Sequence, residues 1–285
     1  MDLNPNCRYL VTGASGFLGA SLIQRLEGKG CKNIVTVSRN EGKLLELKQK
    51  FPHIECIPGD IASEHTVWKS MQKVDACFHL AAFKHVGLAE THVKECVSSN
   101  VIGTQNILDI GCEMGLHFIL GISTDKAAQV AGTYGASKML MERLFEEYDV
   151  LYPTKCRIVR YGNVLYSTGS VLCKWKDLLQ KGKQVVVTDT DATRFFWTRE
   201  QAIDLILDCL EHSVDSAPYV PDMKAMRIGD LLEAMGRKYL KKGSKLDLKI
   251  IGLQQGENMH EKILENGPTS AEVERYTVDE ILEMV

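Results

Sequence analysis

Short apolar runs alternate with helix-forming stretches from residue 9 to residue 161. The apolar runs predict strands at 9–11, 33–37, 54–57, 76–80, 118–122 and 156–161. The stretches between them predict helices at 20–27, 41–50, 66–72, 93–114 and 134–148. This order favours parallel pairing of the strands, because each helix carries the chain back across the sheet in a right-handed crossover. The sequence therefore predicts an α/β fold with a doubly wound parallel sheet.

The regular alternation of strands and helices ends after residue 163. Residues 164–195 and 213–285 contain more glycine, lysine and polar turns, which predicts a small C-terminal substrate-binding lobe. A helix predicted at 199–210 returns residues 196–212 to the sheet, and the tail at 272–285 is predicted to be helical. We therefore expect two domains. The first contains residues 1–163 together with 196–212, and the second contains the lobe at 164–195 and 213–285.

The composition is that of a globular enzyme, with 285 residues of which 45% are hydrophobic and 25% charged. A formal net charge of −3 gives no reason to expect nucleic acid or an anionic membrane as a partner. The sequence has no apolar run of membrane-spanning length, and its polar start does not resemble a signal peptide. The nine cysteines contain no Cys-x-x-Cys pair, which predicts reduced thiols and a cytoplasmic location. The eight histidines show no metal-ligand spacing, so we expect no structural metal.

A glycine-rich loop, TGASGFLG at 12–19, follows the first strand and opens the first helix. Its glycines permit a tight turn, close approach of the backbone to a pyrophosphate, and close packing of the helix. The helix N-terminus then faces the phosphates. Because strand, loop and helix are all in place, the motif predicts a Rossmann-like dinucleotide site rather than a plain glycine turn. The predicted contacts from this loop are Gly13, Ser15, Gly16, Phe17, Leu18 and Gly19.

The residues after the second strand favour NADP over NAD. An enzyme that uses NAD usually has Asp or Glu here to hold the ribose 2′-hydroxyl, whereas an Arg suits a 2′-phosphate. This chain has Ser38, Arg39 and Asn40, followed by Lys43. A solvated Arg39 without a ligand is the alternative. The predicted cofactor contacts after the third and fourth strands are Asp60, as an acceptor for the adenine amino group, with Ile61, Ala81 and Ala82.

Tyr134 and Lys138 lie four residues apart on a predicted helix and therefore share one face. We expect the Lys138 ammonium to lower the pKa of the phenol, so that Tyr134 acts as a base near neutral pH. Asp125 and Lys126, just upstream, add an acid and a second base. Together these residues indicate oxidation of an alcohol coupled to loss of water. The alternatives are an ordinary exposed helix face and a solvated pair of loop residues.

Several segments give the chain a resemblance to one family. They are TGASGFLG, AAFKHVGLAE at 81–90, SSNVIGTQNIL at 98–108, STDKAA at 123–128, YGASK at 134–138, RYGNV at 160–164, TRFF at 193–196, DMKAMRIGDL at 222–231 and GENMHE at 256–261. With them the chain resembles the extended short-chain dehydrogenase/reductase superfamily. More narrowly, it looks like the inverting UDP-N-acetylglucosamine 4,6-dehydratases of bacterial polysaccharide and flagellin-sugar pathways. Lys126 carries this distinction, because similar dehydratases that retain configuration have Glu at that position.

The resemblance implies a role for each reacting residue. Tyr134 takes the proton of the sugar 4-hydroxyl, Lys138 holds the phenolate and the nicotinamide ribose, and Thr124 bonds to the 4-oxygen. Lys126, with a lowered pKa, removes the C5 proton, and Asp125, with a raised pKa, protonates the departing C6 hydroxyl. Reprotonation of C5 from the opposite face inverts that centre, and tightly bound NADP is regenerated in each turnover. The remaining implied contacts are Lys84, Ser123 and Val164 for the cofactor, and His85, Asn163, Ser170, Val171, Arg194 and Glu257 for the substrate.

The substrate side departs from the family pattern. Thr168, Gln254 and Asn258 stand where the family has Arg, Arg and Lys, so two arginines that would grip a diphosphate are missing. The candidates to replace them are Lys174, Lys176 and Lys183.

These departures leave the identity of the nucleotide and the sugar open. A sugar 4-epimerase or 4-ketoreductase is the alternative with the same fold, and neither reaction needs Asp125 and Lys126. A non-catalytic NADP-binding scaffold is the alternative from another class. The implied partners are a nucleotide sugar, with a UDP-sugar first, and further copies of the chain. A homo-oligomer, either a dimer or a hexamer, would form through the helices at 93–114 and 134–148.

Overall fold

The computed structural model describes residues 2–285 and contains one large parallel sheet. Its strands are β1 (Tyr9–Thr12), β2 (Ile34–Ser38), β3 (Glu55–Pro58), β4 (Ala76–His79), β5 (Phe118–Thr124) and β6 (Lys155–Tyr161). They lie in the order β3-β2-β1-β4-β5-β6, and each neighbouring pair is parallel. The direction of winding reverses between β1 and β4, and ligands bind at such a switch point in doubly wound sheets. The predicted fold class is confirmed.

The helices of this part differ from the prediction in two places, an additional short helix at Val86–Ala89 and a division of the helix predicted at 93–114. They are α1 (Phe17–Gly28), α2 (Glu41–Lys50), α3 (Glu64–Ser70), α4 (Val86–Ala89), α5 (Val93–Val97), α6 (Gly103–Glu113) and α7 (Thr133–Leu151). The helix predicted at 93–114 is divided by a π-helical turn at Ser98–Ile102. In this turn the buried Asn100 side chain accepts from the Phe83 N–H at 2.7 Å and donates to the Phe83 carbonyl at 2.9 Å. The widened turn therefore directs a polar side chain at the backbone beyond β4.

The rest of the chain forms smaller sheets with their own helices. Its elements are β7 (Asn163–Val164), α8 (Val171–Gln180), β8 (Val185–Val187), β9 (Thr193–Trp197), α9 (Arg199–His212), β10 (Ala225–Arg227), α10 (Ile228–Tyr239), β11 (Leu248–Ile250) and α11 (Val278–Met284). β9 lies between β7 and β10, and β8 pairs with β11. The helix at the C-terminus begins later than the predicted start at 272, because Thr277 and Glu280 form a capping box that fixes its first turn.

Different hydrophobic clusters stabilise the two parts. Leu22 of α1 and Ile203 of α9 belong to one core together with residues of β1, so α9 packs against the large sheet. Trp175 of α8, Leu231 of α10 and Ile281 of α11 belong to another core. Helices α8, α10 and α11 thus share a core beside the large sheet.

Candidate active site

A cavity of about 610 Å³ lies beyond the carboxyl ends of β4, β5 and β6. Lys84, Lys126 and Asn163 line it from the loops that follow these strands, and α8 lines it from the C-terminal part. Its wall includes each of the predicted substrate contacts: His85, Asn163, Ser170, Val171, Arg194 and Glu257. The cavity is therefore shared by both parts of the chain and lies at the crevice where open α/β sheets bind ligands.

Helix α7 is held close against the loop that follows β5. Glu90 accepts a hydrogen bond from the Thr133 N–H at 2.7 Å and so satisfies the first turn of this helix. A Cβ atom at Gly135 would overlap with the Lys126 carbonyl oxygen, so glycine permits this close approach. The approach brings the Tyr134 phenol near Thr124, whose hydroxyl acts to lower the pKa of the phenol.

The Tyr134 phenol is buried and lies among charged neighbours. Burial raises its pKa to about 12, whereas the Lys126 ammonium and the hydrogen bond with Thr124 act to lower it. Lys138 donates instead to the Ile122 carbonyl oxygen, at 2.6 Å. The structure thus differs from the expectation that Lys138 lowers the pKa of the phenol. The cation that acts on the phenol is Lys126, because the Lys138 ammonium faces the backbone of β5.

Lys138 itself lies in an environment that favours the neutral amine. Burial lowers its pKa to about 8, and the Glu142 carboxylate acts against this shift. The Met141 sulfur lies 3.1 Å from the ammonium. A lysine with this pKa changes its charge close to neutral pH.

Asp125 and Lys126 form an ion pair at the end of β5. The Lys126 Nζ lies 3.0 Å from Asp125 Oδ1 and 3.6 Å from Glu261 Oε1. Burial acts to lower the pKa of Lys126, but the two carboxylates outweigh it and raise the pKa above its ordinary value. The expectation of a lowered pKa is therefore wrong, because two carboxylates rather than a second cation dominate its surroundings.

Asp125 is fully buried, and its two oxygens differ. Oδ1 accepts hydrogen bonds from the Thr124 hydroxyl at 2.8 Å and from the Lys126 ammonium at 3.0 Å. Oδ2 is buried as well and has no hydrogen-bond partner among the described residues. A buried carboxylate oxygen without a partner is costly, and Asp125 lies behind Lys126 rather than among the described residues that line the cavity.

Glu261 is the site residue that the sequence analysis missed. Its side chain is 1% exposed, and Oε1 lies 3.7 Å from the Arg194 Nε as well as near Lys126. The segment GENMHE contains both Glu257 and Glu261. Nothing in their spacing shows which of the two is buried, so only their shared segment could have pointed to Glu261.

Arg194, a predicted substrate contact, also has partners within the protein. Its Nη1 donates to the carbonyl oxygens of Thr193 at 2.8 Å and Met259 at 3.0 Å. These carbonyl oxygens and the Glu261 carboxylate thus engage Nη1 and Nε of the Arg194 guanidinium within the protein. Arg194 therefore supports the cavity wall of which it is a part.

The lysines proposed to replace the missing arginines lie in different places. Among the described residues, Lys174 lines the cavity and Lys176 does not. The Lys176 ammonium lies 4.8 Å from the centre of the Tyr239 ring, in a cation–π contact. Lys183 is likewise outside the residues that line the cavity. Of the three lysines, Lys174 is thus the candidate to replace a missing arginine, because its side chain lines the cavity.

The glycine loop has the shape of a phosphate cradle. Gly13 has a φ of +68°, and a Cβ atom there would lie 2.8 Å from the Ala81 backbone nitrogen. α1 begins directly after Gly16, without a side-chain cap from the described residues and without an acid in its first turn. Its first N–H groups are therefore available to phosphate oxygens, and the helix dipole favours negative charge there. These features fit a dinucleotide.

The residues predicted to contact the 2′-phosphate lie beside this loop. The Ser38 and Ser15 hydroxyls are 2.9 Å apart. Arg39 lies 3.6 Å from Asp60, and 59% of its side chain is exposed. An exposed guanidinium beside the loop is accessible to a phosphate group.

Other predicted cofactor contacts have structural partners of their own. Asn40 caps α2 by accepting from the Lys43 N–H at 2.9 Å. Lys84 donates to the Thr168 carbonyl oxygen at 2.9 Å. The remaining positions are Phe17 and Leu18 at the start of α1, Ile61 in a hydrophobic core, Ala81 and Ala82 after β4, and Val164 in β7 on the cavity wall.

Ser123 belongs to a buried network that joins β5, β6 and α7. Its hydroxyl donates to the Glu142 carboxylate. Glu142 also accepts from Arg160 Nε at 3.0 Å and from Arg160 Nη2 at 2.5 Å. Arg160 in turn reaches the Ile263 carbonyl oxygen at 2.7 Å and Glu265 Oε1 at 3.0 Å. The Ser123 side chain is thus fixed by Glu142 of α7, which is itself bound to Arg160 of β6.

Two further findings concern residues 2–285 as a whole. Within this range, His, Cys, Asp and Glu side chains do not gather in groups of three or more that could hold a metal ion. Across the same residues, no helix combines the length and the apolar character needed to cross a membrane.

The sequence profile of one protein family matches residues 9–282. Its members are described as polysaccharide biosynthesis proteins. The chain belongs to this family. The predicted resemblance is confirmed, since family members that act on nucleotide sugars are among its relatives.

Curated relatives of the family include proteins with different reactions. A UDP-N-acetylglucosamine 4,6-dehydratase (inverting) of Campylobacter jejuni is 33% identical over 259 residues, covering 88% of this chain and 75% of the relative. A UDP-glucose 4-epimerase of Rickettsia massiliae is 30% identical, covering 90% and 76%. An uncharacterized membrane protein of Methanocaldococcus jannaschii is 34% identical, covering 96% and 84%. The chain thus stands among the nucleotide-sugar dehydratases and epimerases.

Solved structures with the same fold superpose on nearly the whole chain. Pen from Bacillus thuringiensis superposes with a TM-score of 0.89 at 25% identity, over 98% of this chain and 97% of that one. A dTDP-glucose 4,6-dehydratase from Streptomyces venezuelae, with NAD bound, superposes with a TM-score of 0.80 at 18% identity, over 97% and 95%. The predicted Rossmann-like architecture is shared with both.

Proposed function

We propose that the protein is an NADP-dependent nucleotide-sugar 4,6-dehydratase that inverts C5 and acts on UDP-N-acetylglucosamine or a close relative. The observation that carries this proposal is the contact of 3.0 Å between Lys126 Nζ and Asp125 Oδ1, next to Tyr134. Elimination of water needs both an acid and a base beside the alcohol that is oxidised, whereas hydride transfer alone does not. The relative from Campylobacter jejuni supports the same reaction.

The cofactor and the sugar would occupy adjoining parts of the site. When bound, NADP supplies hydride chemistry, with the loop at 12–19, Ser38 and Arg39 holding it. Tyr134 takes the proton of the 4-hydroxyl. Because burial raises the pKa of this phenol to about 12, its anion needs the nearby Lys126 charge and the Thr124 hydroxyl to stabilise it.

After oxidation at C4, Lys126 passes its proton to Asp125 across their contact, so the pair holds one proton when the elimination begins. The C5–H bond breaks and its proton passes to the neutral Lys126 amine, while the electron pair forms the C5–C6 double bond of the 4-keto sugar. The hydroxyl group leaves C6 with the proton of the Asp125 carboxylic acid, as water. The pair therefore ends as ammonium and carboxylate, which is the ion pair of the structure. The C5–C6 double bond is then saturated by the hydride taken earlier from C4, which would be returned to C6, and by a proton at C5; protonation from the opposite face inverts that centre.

Mass spectrometry tests the reaction. Incubation with UDP-N-acetylglucosamine is expected to give a product that has lost one water. Asp125→Asn is expected to slow this loss by about 100-fold or more, the usual contribution of a general acid. Asp279→Asn, on a side chain that is 87% exposed, is the matched control and is expected to turn over normally. A product of unchanged mass with every nucleotide sugar tried would refute the proposal.

The epimerase from Rickettsia massiliae supports 4-epimerisation as the second candidate. An epimerase gives an isomer of unchanged mass, and a 4-ketoreductase gives a product with two more hydrogens. A non-catalytic scaffold binds the cofactor and converts no sugar. The same mass measurement therefore separates all three from dehydration. For the stereochemistry, the 4-keto product is formed in ordinary water and reduced with borohydride, and the couplings of H4 and H5 in the resulting 6-deoxy sugar distinguish inversion from retention.

The choice of NADP is part of the proposal and is supported by the exposed Arg39 beside the glycine loop. Arg39→Ala is expected to weaken NADP binding and to leave NAD binding nearly unchanged, which calorimetry measures. Equal losses for both cofactors, or NAD in the purified protein, would contradict this choice.

Assembly into a homo-oligomer also belongs to the proposal. Val97 and Ile102, at the junction of α5 and α6, and Leu140 of α7 are exposed apolar residues on the helices predicted to associate. Light scattering of the intact protein and of Leu140→Glu tests it. The lobe at 164–195 and 213–285 and the cytoplasmic location stay predictions.

A further inference from the structure

Glu261 is fixed in place from several sides. Its Oε1 lies 3.6 Å from the Lys126 Nζ and 3.7 Å from the Arg194 Nε. Its Oε2 accepts from the Asn258 amide at 3.2 Å, and its backbone N–H donates to the Ser270 hydroxyl at 2.9 Å. With a side chain that is 1% exposed, this carboxylate is not an ordinary surface acid. Its position follows from partners on three separate segments of the chain.

The charged and titratable groups that face Lys126 come from four elements. Asp125 belongs to its own loop, Glu261 to the segment after β11, Arg194 to β9 and Tyr134 to α7. The carboxylates of Asp125 and Glu261 raise the pKa of Lys126, whereas the guanidinium of Arg194 acts to lower it. Both carboxylates lie within 4 Å of the Lys126 ammonium. Opposite charges at such a distance favour the charged form of a lysine.

We propose that Glu261 is a positioning residue that keeps Lys126 protonated and directed at Asp125 between turnovers. For its catalytic meaning this inference rests on the proposed elimination, in which Asp125 and Lys126 share one proton. Glu261 favours the state in which Lys126 holds that proton. Glu261 therefore sets the alkaline pH above which Asp125 and Lys126 lose their shared proton. Above that pH no proton is left to protonate the departing C6 hydroxyl.

The first experiment titrates Lys126 directly and does not depend on turnover. The protein is labelled with ¹³C at the lysine Cε, and the Lys126 signal is assigned by its absence in Lys126→Met. In Glu261→Gln the pKa of Lys126 is expected to fall by about 1–3 units, the range for loss of an opposite charge at this distance. Glu261→Asp keeps the charge but withdraws it, so a smaller fall is expected, and this variant also serves if Glu261→Gln does not fold.

Glu257→Gln is the matched control. Glu257 lines the same cavity, but its carboxylate accepts from the Gln254 N–H at 3.1 Å and is absent from the groups found to act on Lys126 among the described residues. Whatever this substitution does to KM, the pKa of Lys126 should not move. Thermal unfolding of each variant checks that the fold is intact.

The second experiment measures the alkaline limit of dehydration. Glu261→Gln is expected to move this limit to lower pH, in step with the titration, whereas Glu257→Gln leaves it in place. An unchanged Lys126 titration in Glu261→Gln, or an equal shift in Glu257→Gln, overturns the inference. If no nucleotide sugar loses water but Lys126 titrates as expected, the proposed function fails and the electrostatic role of Glu261 stands. If dehydration occurs but its alkaline limit does not follow Glu261, the inference alone fails.

Discussion

Arg160→Met is expected to be one of the most destabilising single substitutions outside the cavity. The Arg160 side chain is fully buried, and it pairs with a Glu142 side chain that is 5% exposed. It also bonds to the Ile263 carbonyl oxygen at 2.7 Å and to Glu265 at 3.0 Å. Removing the guanidinium leaves the Glu142 carboxylate buried without its cation, which typically costs about 3–5 kcal/mol. At about 2 °C per kcal/mol for a chain of this size, the melting temperature should fall by roughly 6–10 °C.

Urea unfolding measures the free energy of unfolding of Arg160→Met against a matched control. Arg143→Met removes the Arg143–Glu146 pair, whose side chains are 65% and 36% exposed. An exposed pair of this kind contributes about 0–1 kcal/mol. The double variant Glu142→Leu, Arg160→Met removes both buried charges and should recover a substantial part of the loss. If Arg160→Met loses no more stability than Arg143→Met, the assignment of this network as a buried, mutually dependent ion pair is refuted.

Further substitutions test the approach of α7, the titration of Lys138 and the anion-binding side of the cavity. Gly135→Ala places a methyl group against the Lys126 carbonyl oxygen and should lower turnover about tenfold or more. Gly236→Ala, in a helix where the described residues leave open space, should instead stabilise the fold by up to about 1 kcal/mol in urea unfolding. Because burial lowers the pKa of Lys138 from 10.5 to about 8, the unfolded chain binds more protons between these values. Stability should therefore gain a contribution as pH rises through this window, and Lys138→Met should remove it in urea unfolding across the same range. Lys174→Ala should raise the KM for the nucleotide sugar about tenfold or more, as expected for loss of a charged hydrogen bond, whereas Lys176→Ala should not, and steady-state kinetics compares them.

The large sheet and the glycine loop were predictable because they depend on local pattern. An apolar strand that runs into Gly13 and Gly16 gives both the turn and the start of α1, with little influence from the rest of the chain. The π-helical turn was not predictable, since the pattern of apolar residues through 93–114 is also that of an unbroken helix. What distinguishes it is the pairing of Asn100 with the Phe83 backbone, a contact between distant positions in the sequence.

The residue types of the site were predictable, but their electrostatics were not. Sequence places Asp125 beside Lys126, yet Glu261, the second carboxylate that raises the pKa of Lys126, lies more than 130 positions further along the chain. In the same way, Tyr134 and Lys138 share a helix face, but the carbonyl of Ile122 attracts the Lys138 ammonium. Spacing shows which groups are near each other on one element, and tertiary contacts decide which of them interact.

One short segment, residues 259–265, connects the reacting groups with the stabilising network. The Met259 carbonyl holds Arg194, and Glu261 holds Lys126. A few residues later, the Ile263 carbonyl and Glu265 hold Arg160. The segment thus contacts the ends of β5 and β6 through largely buried charged groups. When one member of such a pair is removed, water does not take its place, so the remaining charge is left unpaired. A change that displaces it should therefore lower stability and alter the protonation of Lys126 together, whereas Glu261→Gln should act on Lys126 while leaving Arg160 paired.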